Sequence, residues 1–198
     1  MTSDSFILPK AVLFDMDGTL TEPMLNFPLI KSEMGIGNRP ILEALAEMDE
    51  SARAVAEKVL HRHEEEAAAK SALNPGCLEL LDGLAARGIL TALITRNSIR
   101  SVRRIVSLHG LKIETILARE DAPPKPNPHP LRLACQRLGV ECSHAWMVGD
   151  GQYDVEAGLA AGIRTVWLSH GKPCPFDAAP WREVRDLWEL RRILVGSD

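Results

Sequence analysis

Four consecutive apolar residues, Ala11-Val12-Leu13-Phe14, run straight into Asp15-Met16-Asp17-Gly18-Thr19-Leu20. A stretch apolar at every position has no face to give to water, which is the pattern of a strand buried on both sides of a parallel sheet. In extended backbone the side chains at i and i+2 leave on the same side, so Asp15 and Asp17 are expected to point together and Met16 away. Gly18 lets the chain turn sharply at that point. Two carboxylates at the end of a buried strand are costly unless a cation or a reaction uses them.

The rest of the chain repeats the same grammar. Cys77 to Arg87 is amphipathic and stops at Gly88; Ile89 to Ile94 is a second buried strand, followed at once by Thr95-Arg96-Asn97. Ser98 to His109 reads as a helix, Glu114 to Ala118 as a strand, and Pro123-Pro124-Lys125-Pro126 as a stiff loop around one lysine. A helix to Leu138 follows, capped by Asn127 or a neighbour. Ala145 to Val148 is a strand ending in Gly149-Asp150-Gly151-Gln152-Tyr153-Asp154; a helix to Ala161 and a strand from Ile163 to Leu168 come next. Arg182 to Arg185 reads as a short edge strand and Leu187 to Val195 as a helix. Strands alternating with helices of this length predict an α/β fold, a Rossmann-like parallel sheet with right-handed crossovers and helices on both faces. Ligands in such sheets bind at the carboxyl ends of the strands. Asp15, Asp17, Thr95 and Asp150 all fall on that rim, and Lys125 lies in a loop leaving it.

Residues 21–74 interrupt this pattern. They contain only helical signals: Leu29 to Met34, a segment after Pro40 with Ile41, Leu42, Leu45 and Met48 as its stripe, and a long helix from Glu50 to about Ser71. The stripe of the long helix reads Ala52, Val55, Ala56, Val59, Leu60, His63, Ala67, which leaves Glu64-Glu65-Glu66 as a solvated face. Between Glu22 and Lys70 ten acids face six bases, a net of −4; the whole chain has 27 acids and 23 bases, so this stretch carries all of the formal charge of −4. The domain expectation is therefore a core of residues 1–20 and 75–198 and an all-helical cap of residues 21–74 inserted after the first strand. Within it, Arg39 and His63 are the residues expected to reach a substrate.

Several classes are excluded by composition. The mild acidity does not suit a nucleic-acid or membrane-surface protein. No apolar stretch approaches the roughly 20 residues that span a bilayer, and Phe6-Ile7-Leu8 is cut by Pro9-Lys10 before it could serve as a leader. Cys77, Cys135, Cys142 and Cys174 form no C-x-x-C pair and read as free thiols of a reducing compartment. A cytoplasmic protein, monomeric or weakly homodimeric, is expected.

The acids of the rim suit a hard cation with oxygen ligands, and Mg²⁺ prefers one or two carboxylates with water and substrate phosphate completing its shell. Thr95 and Lys125 offer hydrogen bonds and charge to a phosphoryl group. No G-x-x-x-x-G-K-[ST] loop and no nucleophile elbow is present, so a carboxylate is the available nucleophile. Phosphate-monoester hydrolysis demands up to ~10²¹-fold acceleration, whereas acid–base catalysis supplies about 10²–10⁴. A metal, a lysine and a positioned nucleophile must act together.

Asp15-Met16-Asp17-Gly18-Thr19, Thr95 after a strand, Lys125 before Pro126, and Gly149-Asp150-x-x-x-Asp154 resemble, in order and context, the four motifs of the haloacid dehalogenase superfamily. The helical insertion resembles the cap of its phosphoglycolate phosphatase-like branch. The resemblance implies that Asp15 attacks phosphorus and ligates Mg²⁺, and that Asp17 serves as acid and base and offers its backbone carbonyl to the metal. It implies Asp150 as the other metal carboxylate, Thr95 and Lys125 as holders of the phosphoryl oxygens, and Asp154 as a support for Lys125 or a metal-bound water. Arg96 and Asn97 are expected beside the substrate, with Gly18 and Thr19 shaping the turn. The implied activity is Mg²⁺-dependent hydrolysis of a small phosphorylated metabolite, of phosphoglycolate or sugar-phosphate type, through an aspartyl phosphate. The alternatives are a β-phosphoglucomutase-like sugar phosphomutase and a non-catalytic phosphoacceptor or scaffold.

Overall fold

The computed structural model describes residues 7–196. The amino-terminal stretch up to Phe6, read for a leader, and the last two residues assigned to the core lie outside the described residues. Among the described residues six strands form one sheet: β1 (Ala11–Phe14), β2 (Leu90–Ile94), β3 (Thr115–Leu117), β4 (Ala145–Gly149), β5 (Arg164–Leu168) and β6 (Arg182–Val184), in the order β3-β2-β1-β4-β5-β6. Every pairing is parallel. Among the described residues eight α-helices accompany them: α1 (Phe27–Met34), α2 (Ile41–Ala46), α3 (Glu50–Ala69), α4 (Cys77–Ala86), α5 (Ile99–His109), α6 (His129–Leu138), α7 (Gln152–Ala161) and α8 (Leu187–Leu194). The expected α/β class and the run of strands and helices hold, with ends moved by a residue or two, as fraying helix termini allow.

The continuous apolar run of β1 is explained by its central place. Val12 and Phe14 pack on one face with Leu80 and Leu84 of α4, Val102 of α5 and Leu190 of α8. Ala11 and Leu13 face the other way, onto Leu131 and Ala134 of α6 and Ala157 of α7. The strand order reverses between β1 and β4, and in doubly wound sheets that reversal opens a crevice at the carboxyl ends. Asp15 and Asp150 are the first residues past β1 and β4, so the topology sets them on opposite walls of that crevice.

Helices α1 to α3 hold a cluster of their own, built on Ile30, Ile36, Ile41, Leu45, Ala56 and Leu60. The phase expected for α3 requires correction. Its buried residues are Ala56, Leu60, Glu64 and Ala68, while Val55 is 65% exposed. The i, i+4 line through Glu64 is the inward face. Glu64, expected on a solvated face, is 2% exposed because Arg119, just past β3, meets its carboxylate. A charged residue can lie inward when its partner comes from a distant segment, and hydrophobic period alone does not register that.

The chain re-enters the sheet region through Asn74, whose Nδ2 donates to the carbonyls of Thr19 (2.8 Å) and Thr21 (3.0 Å). Both acceptors are buried. Asn74→Ala leaves the Thr19 carbonyl unpartnered, whereas that of Thr21 keeps the Gly18 N–H at 2.9 Å, and a loss of about 1–2 kcal/mol is expected in urea denaturation. An unchanged midpoint would show that water replaces the amide there.

Candidate active site

Past Phe14 the chain makes a tight loop in which Thr21 N–H and Oγ1 both donate to the Met16 carbonyl, at 2.9 and 3.1 Å. Met16 turns back into the apolar core, while Asp15 and Asp17 line the same cavity, as the alternation predicts. Gly18 has φ +87°, and a Cβ built there would stand 2.3 Å from Oδ2 of Asp150. Only a glycine lets this loop close against that carboxylate. Gly149 does the same for the next acid: a Cβ would lie 2.2 Å from Cγ of Asp154.

Lys125 is the hub. It is 2% exposed, and its Nζ donates to Asp15 Oδ1 (2.6 Å), Asp154 Oδ1 (2.7 Å) and the Ile94 carbonyl (2.7 Å). The second oxygen of Asp154 accepts from Gly151 N–H at 3.0 Å, so both of its oxygens are engaged in holding the lysine and the start of α7. Asp150 is anchored through its carbonyl, which accepts from Trp167 Nε1 at 3.0 Å. His170 Nε2 lies 2.7 Å from the Gly18 carbonyl, tying the loop after β5 to the turn. Neither Trp167 nor His170 stands near a recognisable motif, and nothing in the sequence marks them.

Three carboxylates, Asp15, Asp150 and Asp154, bring oxygens within 4.8 Å of one another against one ammonium. The charge is under-compensated, and the carboxyl groups are shifted accordingly. Burial, with Asp154 and Asp150 adding to it against the pull of Lys125, raises Asp15 to about 8. Burial and Asp154 raise Asp150 to about 6. Asp17 rises to about 6 through burial, opposed by the Met24 N–H and reinforced by Glu64. Lys125 is penalised by burial, but Asp15 and Asp154 outweigh that and hold it above its ordinary value. A divalent cation among oxygen ligands is what such a donor set lacks. Asp15 and Asp150 have carboxylate oxygens to give it, and the Asp17 carbonyl accepts no hydrogen bond among the described residues. Asp154, by contrast, is spoken for.

Thr95 is buried at the end of β2, and its Oγ1 accepts from Asn97 N–H at 3.1 Å, leaving its own proton to donate. Thr19 is fully buried with Oγ1 unpartnered. Arg96 and Asn97 line the cavity, yet the Arg96 guanidinium is already in use. It donates to both oxygens of Glu43 on α2 (2.9 and 2.8 Å) and to the Lys125 carbonyl, and lies 4.5 Å from the Tyr153 ring centre. Arg39 and His63 are not brought to the cavity. Arg39 pairs with Glu47 at 3.1 Å, and His63 on α3 turns to Glu33 on α1 at 3.1 Å; acids elsewhere in residues 21–74 claim them. Residues 21–74 instead present Phe27, Lys31, Asn38, Pro40, Ile41 and Leu42 to it.

The haloacid dehalogenase-like hydrolase family model matches residues 9–162. An N-acetylmuramic acid 6-phosphate phosphatase of Pseudomonas putida is 30% identical over 192 residues, covering 85% of this chain and 86% of the relative. A phosphoglycolate phosphatase of Rhodospirillum rubrum is 31% identical over 195 residues, covering 83% and 81%. The solved structure of CbbY from Rhodobacter sphaeroides in complex with phosphate superposes with a TM-score of 0.73 at 21% identity, over 92% of this chain and 96% of that one, a likeness of fold. With the crevice acids, the bridging lysine and these matches together, the chain belongs to the haloacid dehalogenase-like hydrolases.

Proposed function

We propose that this hydrolase is a Mg²⁺-dependent, cytoplasmic phosphatase of small phosphorylated metabolites, of phosphoglycolate or sugar-phosphate type, acting through an aspartyl phosphate on Asp15. The observation that carries the proposal is the single buried ammonium of Lys125 shared between Asp15 and Asp154, with Asp150 beside them. Relatives named as phosphatases support the phosphoester class. Among the described residues no helix is long and apolar enough to cross a membrane.

Mg²⁺ would be held by Asp15, Asp150 and the Asp17 carbonyl, and when bound it supplies positive charge that keeps Asp15 ionised and draws the phosphoryl group toward it. Lys125 and the Thr95 hydroxyl hold phosphoryl oxygens and stabilise the charge that spreads over them. The free Asp15 oxygen attacks phosphorus and the ester P–O bond breaks. Asp17, raised to about 6 by burial, holds the proton that the departing alkoxide needs. With the alcohol gone, Asp17 takes a proton from water; the oxygen attacks phosphorus, the P–O bond to Asp15 breaks, and phosphate leaves. Residues 21–74 act as the cap over this chemistry. Arg96–Glu43, Arg100–Glu65 and Arg119–Glu64 are ion pairs that hold it down, and the closed cap excludes water from the acyl phosphate.

Release of phosphate from p-nitrophenyl phosphate is expected with Mg²⁺ and is lost, by ~10³-fold or more, after EDTA, returning when Mg²⁺ is restored. The metal-free protein also has a characteristic pH response. Asp150 and Asp15 rise from an ordinary 3.8 to about 6 and about 8. An acid raised on folding contributes stability below its unfolded value and loses it as pH climbs through the folded one. The melting temperature in EDTA should therefore fall between pH 5 and 8.5, and the rise given by Mg²⁺ should grow over the same range. Activity indifferent to EDTA, with a melting temperature flat in pH, would remove the metal from the account.

A further inference from the structure

The cavity over Asp15 encloses about 590 Å³, within the range of about 300–1,000 Å³ that accommodates drug-sized ligands. A two-carbon phosphate ester fills little of that. Beyond the acids and phosphoryl donors of the rim, its wall is largely apolar on the side of α1 and α2, where Phe27, Pro40, Ile41 and Leu42 stand. A substrate body of sugar size, with faces that tolerate apolar contact, suits this space better than a short chain.

Three cations line the cavity: Lys125, Arg96 and Lys31. Lys125 is committed to Asp15 and Asp154. Arg96 is committed to Glu43. Lys31 differs from both. It is half-buried on α1, and its Nζ donates only to the Asn38 carbonyl, at 3.3 Å. Among the described residues no carboxylate pairs with it. The acids of its neighbourhood are engaged elsewhere, Glu33 with Arg62 and His63, and Glu47 with Arg39. An ammonium kept free of acids in an otherwise acidic stretch, facing a ligand cavity, is the residue available to an anion on the substrate.

Resting on the phosphatase reading above, we infer that Lys31 is a specificity residue: it reads a carboxylate carried by the substrate at the end remote from its phosphate, so the substrate class is a phosphorylated sugar acid. One ammonium, with one proton given to the Asn38 carbonyl and two left to donate, matches a monoanionic carboxylate. A second phosphate, dianionic and with three acceptor oxygens, calls for more donors than this wall offers. The two halves of the substrate are thus read by different parts of the chain, the phosphate by strand ends and the carboxylate by α1.

The test compares 6-phosphogluconate with glucitol 6-phosphate, which puts a hydroxymethyl group where the first has its carboxylate. The wild type should show a kcat/KM ratio favouring the acid by ~10- to 100-fold, the range of one charge-assisted hydrogen bond. Lys31→Met should bring that ratio close to one, mainly through KM for the acid, and Lys31→Arg should keep most of it. Circular dichroism and melting temperature check that each variant is folded. A ratio near one in the wild type, or the same ratio in Lys31→Met as in the wild type, overturns the assignment of Lys31 while leaving phosphatase activity in place. A wild type that releases phosphate from neither compound, nor from p-nitrophenyl phosphate, overturns the phosphatase reading and this inference with it.

Discussion

Asp15→Asn is expected to lower kcat by at least ~10⁴-fold on every phosphate ester the wild type turns over, the scale on which losing a nucleophile acts. The amide has the shape of the carboxylate and can still accept from Lys125, so the loop between Met16 and Thr21 has no reason to move. It has no oxygen nucleophilic enough to attack phosphorus, and it brings no negative charge to a cation. A second consequence runs opposite to the first. Asp15 is raised to about 8, chiefly by burial, in spite of Lys125. Its ionised form is therefore disfavoured in the metal-free fold relative to water, and a neutral isostere relieves that. In EDTA at pH 8 the variant should melt at or above the wild-type temperature, and Mg²⁺ should raise it much less. An inactive variant that is also less stable would indicate a collapsed site; an active one would mean that phosphorus is attacked by another group. Inactive and no less stable is the combination that identifies a nucleophile.

The site residues legible in the sequence share one property: each is placed by local chain geometry. Asp15, Thr95 and Asp150 follow apolar strands, and a strand of a parallel sheet can end only on the ligand-binding rim. Their convergence with Lys125 follows from topology, and the structure brings all four to one cavity. What was not visible depends on which distant group arrives to pair with a side chain. Glu64 reads as a solvated acid in a run of three until Arg119, just past β3, meets it. Arg39 and His63 read as available because the acids that occupy them, Glu47 and Glu33, are not marked as partners by spacing alone. Lys31 is the converse, an unremarkable helical lysine whose interest comes from the acids it does not meet. Arg96 lies between these cases. Its position beside the site follows from β2, but its use by Glu43 and Tyr153 requires the packing of α2 and α7. Charge pairing across segments is set by tertiary proximity, and no pattern within one segment reports it.

Lys125→Met should have the largest effect on the fold, because it removes the one cation from a buried group of acids. Lys125 bonds Asp15, Asp154 and the Ile94 carbonyl within 2.7 Å; methionine fills the space and satisfies none of them. Breaking a buried pair from one side is expected to destabilise the protein by ~3–5 kcal/mol, or about 10 °C in melting temperature for a chain of this length. The loss must depend on pH, and its sign can be derived. Freed of the ammonium, Asp15 and Asp154 can remain buried only by taking up a proton. That uptake is easy near pH 5 and becomes harder by about 1.4 kcal/mol for each pH unit above it. The wild type in EDTA already loses stability with pH through Asp15 and Asp150, a trend the variant shares, while the wild-type lysine is held above its ordinary value and stays charged throughout. What separates the two is the further proton the acids must take up once the ammonium is gone. The gap between wild type and variant in EDTA should therefore widen from pH 5 to pH 8. Turnover should fall by ~10³-fold, since a charge aimed at the phosphoryl oxygens disappears. Lys125→Arg separates the two roles: it keeps the charge and recovers much of the stability, but its longer planar fork cannot occupy the same point between two carboxylates and a carbonyl. A gap that is constant in pH would show that the ammonium is not what offsets these acids.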